Sequence, residues 1–477
     1  MTVWTRPSAP PSASHCEYER LRRSYINADI REAYPREIHL VNSTFEVQNA
    51  IRSAVNSNSK IGVRSGGHTF SNPSLIHDGI LVDTTKLHCK VEYDPVTHYI
   101  CYGPAVRVAE ASELLQKLGR FFPHGHAPTV ALGGFTLAGG QGMFMPTWGP
   151  TVGDWIVRME IVTPDGKVKT ASMTENADLF WAARGSGQAF FGVVTRIWAR
   201  TIPSRRMFMR MILFEDKDNI ENLLQWALET SRIIPRWGTE TAMTTGYSEM
   251  HSPTHKTDSI PSPPTLHFGV CSTAYVDTLE EARSLLSAWD RIPAPLHGSI
   301  IDAGSVAEMS WAAYFELQEL VTPSGPRNNW QINSFLNDPE VPLERLVKAV
   351  KPAMTELPTR TSLGCIYCCH SYPDDNDHLC ALPQQYYIST FTHWKEKSLE
   401  PKIYEPMADI YAKLYPLGVG MYIADYNPFD ERQANVKVWT DKGLQRFMEI
   451  RAKYDPQELF PGFIPFVRRV KQVGIKL

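Results

Sequence analysis

The sequence predicts an α+β fold built in more than one part, and two observations carry that expectation. Over roughly the first two hundred residues, short apolar strands run into glycine-rich loops and helices. From about Ile202 to Tyr422 the pattern changes to longer strand-like runs interspersed with amphipathic helices, which fits an antiparallel sheet covered by helices on one face. The 477 residues exceed one ordinary domain, and a content of 43% hydrophobic and 21% charged residues suits a globular chain with large cores.

Taken in order, Val47, Ala50, Ile51, Ala54 and Val55 recur at helical spacing behind Ser43 and Glu46, which have the form of a capping box. That helix delivers the chain into a strand at 61–63. Val82, Asp83 and Thr84 continue as strand, 91–101 reads as a hairpin turning at Asp94 and Pro95, and 106–118 reads as a helix stopped by Gly119. Segments 155–162 and 167–171 flank Pro164, Asp165 and Gly166, a turn sequence that marks a second hairpin. In the middle of the chain, strands are expected at 207–214, 266–275, 364–372 and 385–393, with a helix at 279–289. Pro and Ser cluster over 252–264, which reads as a loop serving as a lid or an insertion. A helix at 443–452 and the break at Tyr454, Asp455 and Pro456 mark the terminal segment.

The chemistry concentrates in two glycine loops. The first is Arg64, Ser65, Gly66, Gly67, His68; the second runs from Gly133 and Gly134 to Gly139, Gly140 and Gly142, introduced by FPHGHAPTV at 122–130. Glycine lacks a Cβ, reaches φ > 0 and lets backbone N–H groups crowd against a phosphate or a ring, so the pair of loops implies a cradled cofactor within reach of His68. Tight packing is the other use of such glycines.

Charge and length exclude several partner classes. A net charge of −3 without long runs offers no field for nucleic acid or an anionic membrane, which leaves a small-molecule partner. No stretch reaches the about 18 apolar residues a membrane helix needs. Residues 1–15, rich in Pro and Ser, lack the basic start and apolar core of a secretory signal, so an intracellular, cytoplasmic enzyme is expected unless a signal was trimmed. Asn42, Ser43 and Thr44 form a glycosylation sequon, but the helix cap uses the same residues without secretion. Eight scattered cysteines make no disulfide framework. Cys365, Cys368, Cys369, His370, His378 and Cys380 invite a zinc reading, yet no second CxxC pair exists and the segment reads as a strand, so no metal is expected.

RSGGH at 64–68, FPHGHAPTVALGGFTLAGGQG at 122–142 and DLFWAARGSGQAFFGVV at 178–194 occur in an order and at spacings that resemble berberine-bridge-enzyme-like FAD-linked oxidoreductases, of the vanillyl-alcohol-oxidase or PCMH type. The likeness is dense over about 30–205, fades, and returns near 453–460. It implies a two-part FAD-binding domain, at 1–205 and 431–477, with a substrate domain inserted at 206–430. It also implies that the flavin 8α-methyl carbon is bonded to His68 Nδ1. A second tether through cysteine, common in such enzymes, is impossible here because Ala127 stands at that position. Thr69 and Thr129 fall beside the flavin, and Gly139, Gly140 and Gly142 line phosphate and flavin. Gly185, Ser186, Gly187 and either Val193 or Val194 lie against pyrophosphate and adenine. Val130 takes the position thought to gate oxygen's approach, and its small size fits an oxidase using O2. His126, next to the lost cysteine, is placed to polarise the ring or touch substrate, more so than His124.

Hydride transfer from an alcohol or related C–H to flavin N5 requires a base for the proton. The resemblance points to the segment Tyr422, Ile423, Ala424, Asp425, Tyr426, Asn427, where Asp425 takes the base's place and Tyr422 or Tyr426 assists. Asp425 serves if burial raises its pKa; an exposed turn aspartate is the alternative. Leu382, Pro383, Gln384 and Gln385 replace the histidine and arginine often found before the central strand, which weakens a sugar substrate. Trp311, Trp330, Tyr367, Tyr386, His370 and His393 suit an aromatic or polyketide-like molecule, or else form core. The implied activity is a flavin oxidase acting on a specialised metabolite. A carbohydrate oxidase and a flavoprotein performing a non-redox cyclisation or rearrangement remain the alternatives.

Overall fold

A computed structural model describes residues 1–7, 17–215, 218–248, 265–323 and 328–467. The proline- and serine-rich loop at 252–264, and most of the N-terminal segment at 8–15, lie outside the described residues.

Near the N-terminus a four-stranded sheet runs in the order Thr2–Thr5, Glu37–Leu40, Ile80–Asp83, Ile61–Arg64, the last three mutually parallel. Parallel strands need a crossover, and helix Thr44–Asn56 carries the chain from Glu37–Leu40 to Ile61–Arg64, on either side of Ile80–Asp83. Ser43 Oγ caps the helix by accepting the Glu46 N–H, while the Glu46 carboxylate reaches back to the amide of Asn42 rather than Ser43. Val47, Ala50, Ile51 and Ala54 are buried, whereas Val55 lies outside the stripe and is exposed.

A second sheet of five antiparallel strands follows, in the order Glu92–Asp94, Tyr99–Tyr102, Val193–Arg200, Ile156–Val162, Val168–Ser172. The expected hairpins and the helix Val108–Lys117 sit here, with Gly119 at φ +62 ending the helix. One core joins both sheets to Leu379, Cys380, Met421, Ile423, Tyr426 and helix Asp441–Tyr454.

The middle of the chain forms a nine-stranded antiparallel sheet, whose central order is Arg206–Glu215, Leu266–Val276, Thr239–Tyr247, Leu363–Ser371, Gln384–Trp394, Asn329–Asn337. Strand side chains alternate, so each strand contributes one set to either face. Met243, Val270, Ile366, Tyr386 and Ile388 pack with the helices Ile220–Ile233, Leu343–Thr355 and Glu400–Leu414. Glu240, Ala242, Cys271, Cys365, Tyr367 and Tyr387 point the other way, toward the glycine loops. The expected helix at 279–289 is shorter, Leu279–Leu285, and continues as a 3-10 turn, Ser287–Asp290.

The two parts are stitched by Asn27, whose side chain accepts from the Trp330 amide at 2.9 Å and donates to its carbonyl at 3.1 Å. Cys365, Cys368 and Cys369 are strand residues, and no group of three or more potential metal ligands occurs among the described residues. No helix among the described residues is long and apolar enough to cross a membrane.

Candidate active site

Between the glycine loops and the free face of the large sheet lies a cavity of about 540 Å³, a size suited to small-molecule binding. Its loop-side wall contains Arg64, Ser65, Gly66, Gly67, His68, Thr69, Ala127, Val130, Gly133, Gly134, Gly187 and Val194. The rest of the lining is mostly apolar or aromatic, with Trp330, Ile332 and Phe391 on the sheet side.

His68 reaches the cavity because Gly67, at φ +68, turns the loop where an added Cβ would strike the Ser24 carbonyl oxygen at 2.5 Å. Its Nε2 lies 3.1 Å from Thr129 Oγ1, so Thr129 orients the ring without lining the cavity. Burial, and secondarily the Arg107 guanidinium, push the imidazole down to about 4, which keeps it neutral with a free lone pair at neutral pH. Arg64 is held in a buried ion pair with Asp83.

Not every glycine faces the cavity. Gly134 is exposed to it, and a Cβ there would meet only Ser65 Oγ at 3.6 Å. Gly139, Gly140 and Gly142, expected to line phosphate and flavin, are instead closed by protein. A Cβ at Gly139 would fall 2.4 Å from Cys380 Sγ, and at Gly140 and Gly142 within 2.7 and 2.6 Å of Thr151 side-chain atoms. The side of each that a Cβ would occupy is thus filled by neighbouring residues. Gly185 likewise abuts the Cys380 backbone. Of the valine pair, Val194 lines the cavity and Val193 is core.

Asp425 is no exposed turn residue. It lies at the cavity wall, and its Oδ2 accepts from Ser334 Oγ at 2.7 Å and from Tyr387 OH at 2.8 Å. Burial pushes its carboxyl up from 3.8 to about 6, opposed by those two hydrogen bonds. Tyr422 also lines the cavity, and burial raises its hydroxyl far above the ordinary value. Tyr426 is turned away, its ring 5.0 Å from that of Phe466. His126 lines the cavity with Nε2 3.0 Å from Glu240 Oε1; His124 is buried behind it, against Trp311.

Among the aromatic and imidazole candidates, Trp330 and Tyr367 line the cavity. Tyr386 points to the helix face, its hydroxyl 3.1 Å from Arg232 Nε, and His370 stacks edge-on against it. His393 lies behind Trp330, and Trp311 belongs to a separate aromatic cluster. Glu240, Tyr387, Ser334 and Gln188 carry polar groups in or beside the site that the sequence did not single out. The alternation Glu240, Ala242, Thr244 was the available signal for the first, but alternation alone does not say which face meets the cofactor.

Comparison with known proteins decides what the cavity holds. Residues 35–172 match the family model of the FAD binding domain. Over 476 residues the chain is 29% identical to the FAD-linked oxidoreductase janO of Penicillium janthinellum, covering 97% of each chain. The chain is an FAD-dependent oxidoreductase. Its fold is that of 6-hydroxy-D-nicotine oxidase from Arthrobacter nicotinovorans, with a TM-score of 0.78 at 18% identity over 96% of each chain. A berberine bridge enzyme variant in complex with (S)-reticuline superposes with a TM-score of 0.77 at 16% identity, covering 96% of this chain and 94% of that one.

The residues present fit FAD. Both amide atoms of Gln188, at the cavity wall, are buried without a partner, as expected for a group that meets a polar ligand. The uncovered backbone at Gly134 offers the close approach a ring or phosphate needs.

Proposed function

We propose that this FAD-linked oxidoreductase is an oxidase that removes a hydride equivalent from an alcohol, phenol or related C–H of a small, largely apolar specialised metabolite, with O2 as the electron acceptor. The observation that carries this reading is the Asp425 carboxyl in the cavity wall, raised to about 6 by burial and held by Tyr387 and Ser334. A base of that strength is ionised at neutral pH yet takes a substrate proton more readily than an ordinary aspartate.

When bound, FAD supplies the hydride acceptor at N5 and passes the electrons on to oxygen. Asp425 Oδ1, the carboxylate oxygen those two bonds leave open, receives the hydroxyl proton, while Tyr387 and Ser334 hold Oδ2 so that the carboxylate does not swing away. Trp330, Ile332 and Phe391 present an apolar wall that excludes water and suits a bulky carbon skeleton better than a sugar. His68, neutral and held at Nε2 by Thr129, would carry the flavin through Nδ1 at the 8α carbon; Ala127 leaves this as the single tether. Val130 lines the same wall, small enough to leave room for oxygen.

The test is anaerobic mixing of the yellow holoprotein with candidate alcohols. The expected result is bleaching of the flavin band by substrate and hydrogen peroxide on readmitting air. Turnover without bleaching would select a cyclisation or rearrangement instead.

A further inference from the structure

The cavity wall contains a second carboxylate that the proposed reaction does not use. Glu240 Oε2 accepts from Tyr367 OH at 2.8 Å and from the Phe144 N–H, and Oε1 faces His126 Nε2 at 3.0 Å. Tyr367 and Tyr387 are directly paired across neighbouring strands, so two acid–tyrosine pairs stand side by side on the sheet, about 5 Å apart at their backbones. One carries Asp425; the other carries Glu240.

The two pairs differ in what they present. Both Glu240 oxygens are engaged, Oε2 by Tyr367 and Phe144 and Oε1 by His126, so its role is to hold His126. In the tautomer that gives Nε2–H to the carboxylate, the ring's lone pair lies on Nδ1. That nitrogen has no hydrogen-bond partner among the described residues, and the His126 side chain is 26% exposed at the cavity wall. Arg64, Glu240 and Asp425 are the charged residues of the described lining, and Arg64 is paired with Asp83.

We propose that His126, positioned by Glu240 and Tyr367, is a specificity-determining residue that accepts a hydrogen bond at Nδ1 from a hydroxyl or N–H of the substrate. The substrate is then an apolar body with two polar points, one held at His126 and the other oxidised beside Asp425. This deepens the proposed function and rests on the cavity being the substrate site. Asp425 is the proton acceptor; His126 is an anchor, and Glu240 is a positioning residue.

The test uses the holoprotein and two probes, the para isomer of bis(hydroxymethyl)benzene and para-methylbenzyl alcohol, which differ by one hydroxyl. Binding is read from the shift of the flavin's visible band. One added hydrogen bond is expected to favour the diol by about tenfold, beyond the about twofold that two equivalent ends supply. His126→Ala should reduce the preference to that twofold. Glu240→Gln, which keeps an acceptor for Phe144 and Tyr367, should weaken it. A preference of twofold or less in the unaltered protein, failure to bind the diol included, overturns the proposal. So does a preference that survives His126→Ala in protein that keeps its colour and melting temperature. Asp425→Asn should retain the preference; if it also reduces its flavin normally, the base assignment fails while the anchor stands.

Discussion

Replacing Asp425 with Asn should make the protein more stable and the enzyme far slower. Burial raises the carboxyl from 3.8 to about 6, a shift of about two units, or about 3 kcal/mol at 1.36 kcal/mol per unit. Water in the cavity screens part of this, so a gain of about 1–3 kcal/mol is expected for the neutral amide. The direction with pH follows from which state holds the proton. Below about 4, folded and unfolded chains both carry it, and Asp and Asn are equivalent. As pH rises through about 6, the folded protein must ionise a buried acid and loses that stability. The variant's advantage therefore opens between about pH 4 and 6 and is complete above. Both hydrogen bonds to Asp425 end on Oδ2, so one amide oxygen can accept them both and the geometry survives. Urea unfolding of both proteins at about pH 4.5 and about pH 8 measures the difference, and stopped-flow anaerobic reduction measures the chemistry. Reduction should fall by about 10²–10⁴-fold, and in the unaltered protein it should rise with pH through about 6. An Asn variant that is equally stable at both pH values, or reduced at the original rate, would refute the reasoning.

Other consequences follow from the same packing. Gly139→Ala, at φ +109 and 2.4 Å from Cys380 Sγ, should destabilise the fold by about 2 kcal/mol or more in thermal melts. Gly134→Ala, in the short helix Leu132–Leu137 and open to the cavity, should leave the protein as stable or up to about 1 kcal/mol more so, while lowering its flavin content by absorbance. Asp83→Ala leaves the buried Arg64 guanidinium without its ion pair and should lower unfolding free energy by about 3–5 kcal/mol. Val130→Leu should slow reoxidation of the reduced flavin by air while anaerobic reduction by substrate keeps its rate.

Local chemistry made much of this protein legible in its sequence. The strands at Arg206–Glu215, Leu266–Val276, Leu363–Ser371 and Gln384–Trp394 each fall within about two residues of expectation, because long β-rich runs bounded by polar turns leave little ambiguity. His68, Val130 and Asp425 could be placed at one cavity because the motifs around them fix their neighbours. Long-range placement was not legible. Gly139, Gly140 and Gly142 look like cofactor glycines until Cys380 and Thr151, distant in sequence or in the next turn, are seen filling the space beside them. Tyr386 and Tyr387 are adjacent in sequence, and only the sheet's register decides that the second meets the cavity and the first the helices. Glu240 escaped notice for the same reason: its partners His126, Phe144 and Tyr367 come from three separate segments.

The proposed flavin link through His68 is tested directly by acid precipitation. Precipitated and washed under denaturing conditions, the unaltered polypeptide should stay yellow, and His68→Ala should release its flavin to the supernatant. Colour leaving the unaltered protein on denaturation would show that His68 holds no flavin covalently.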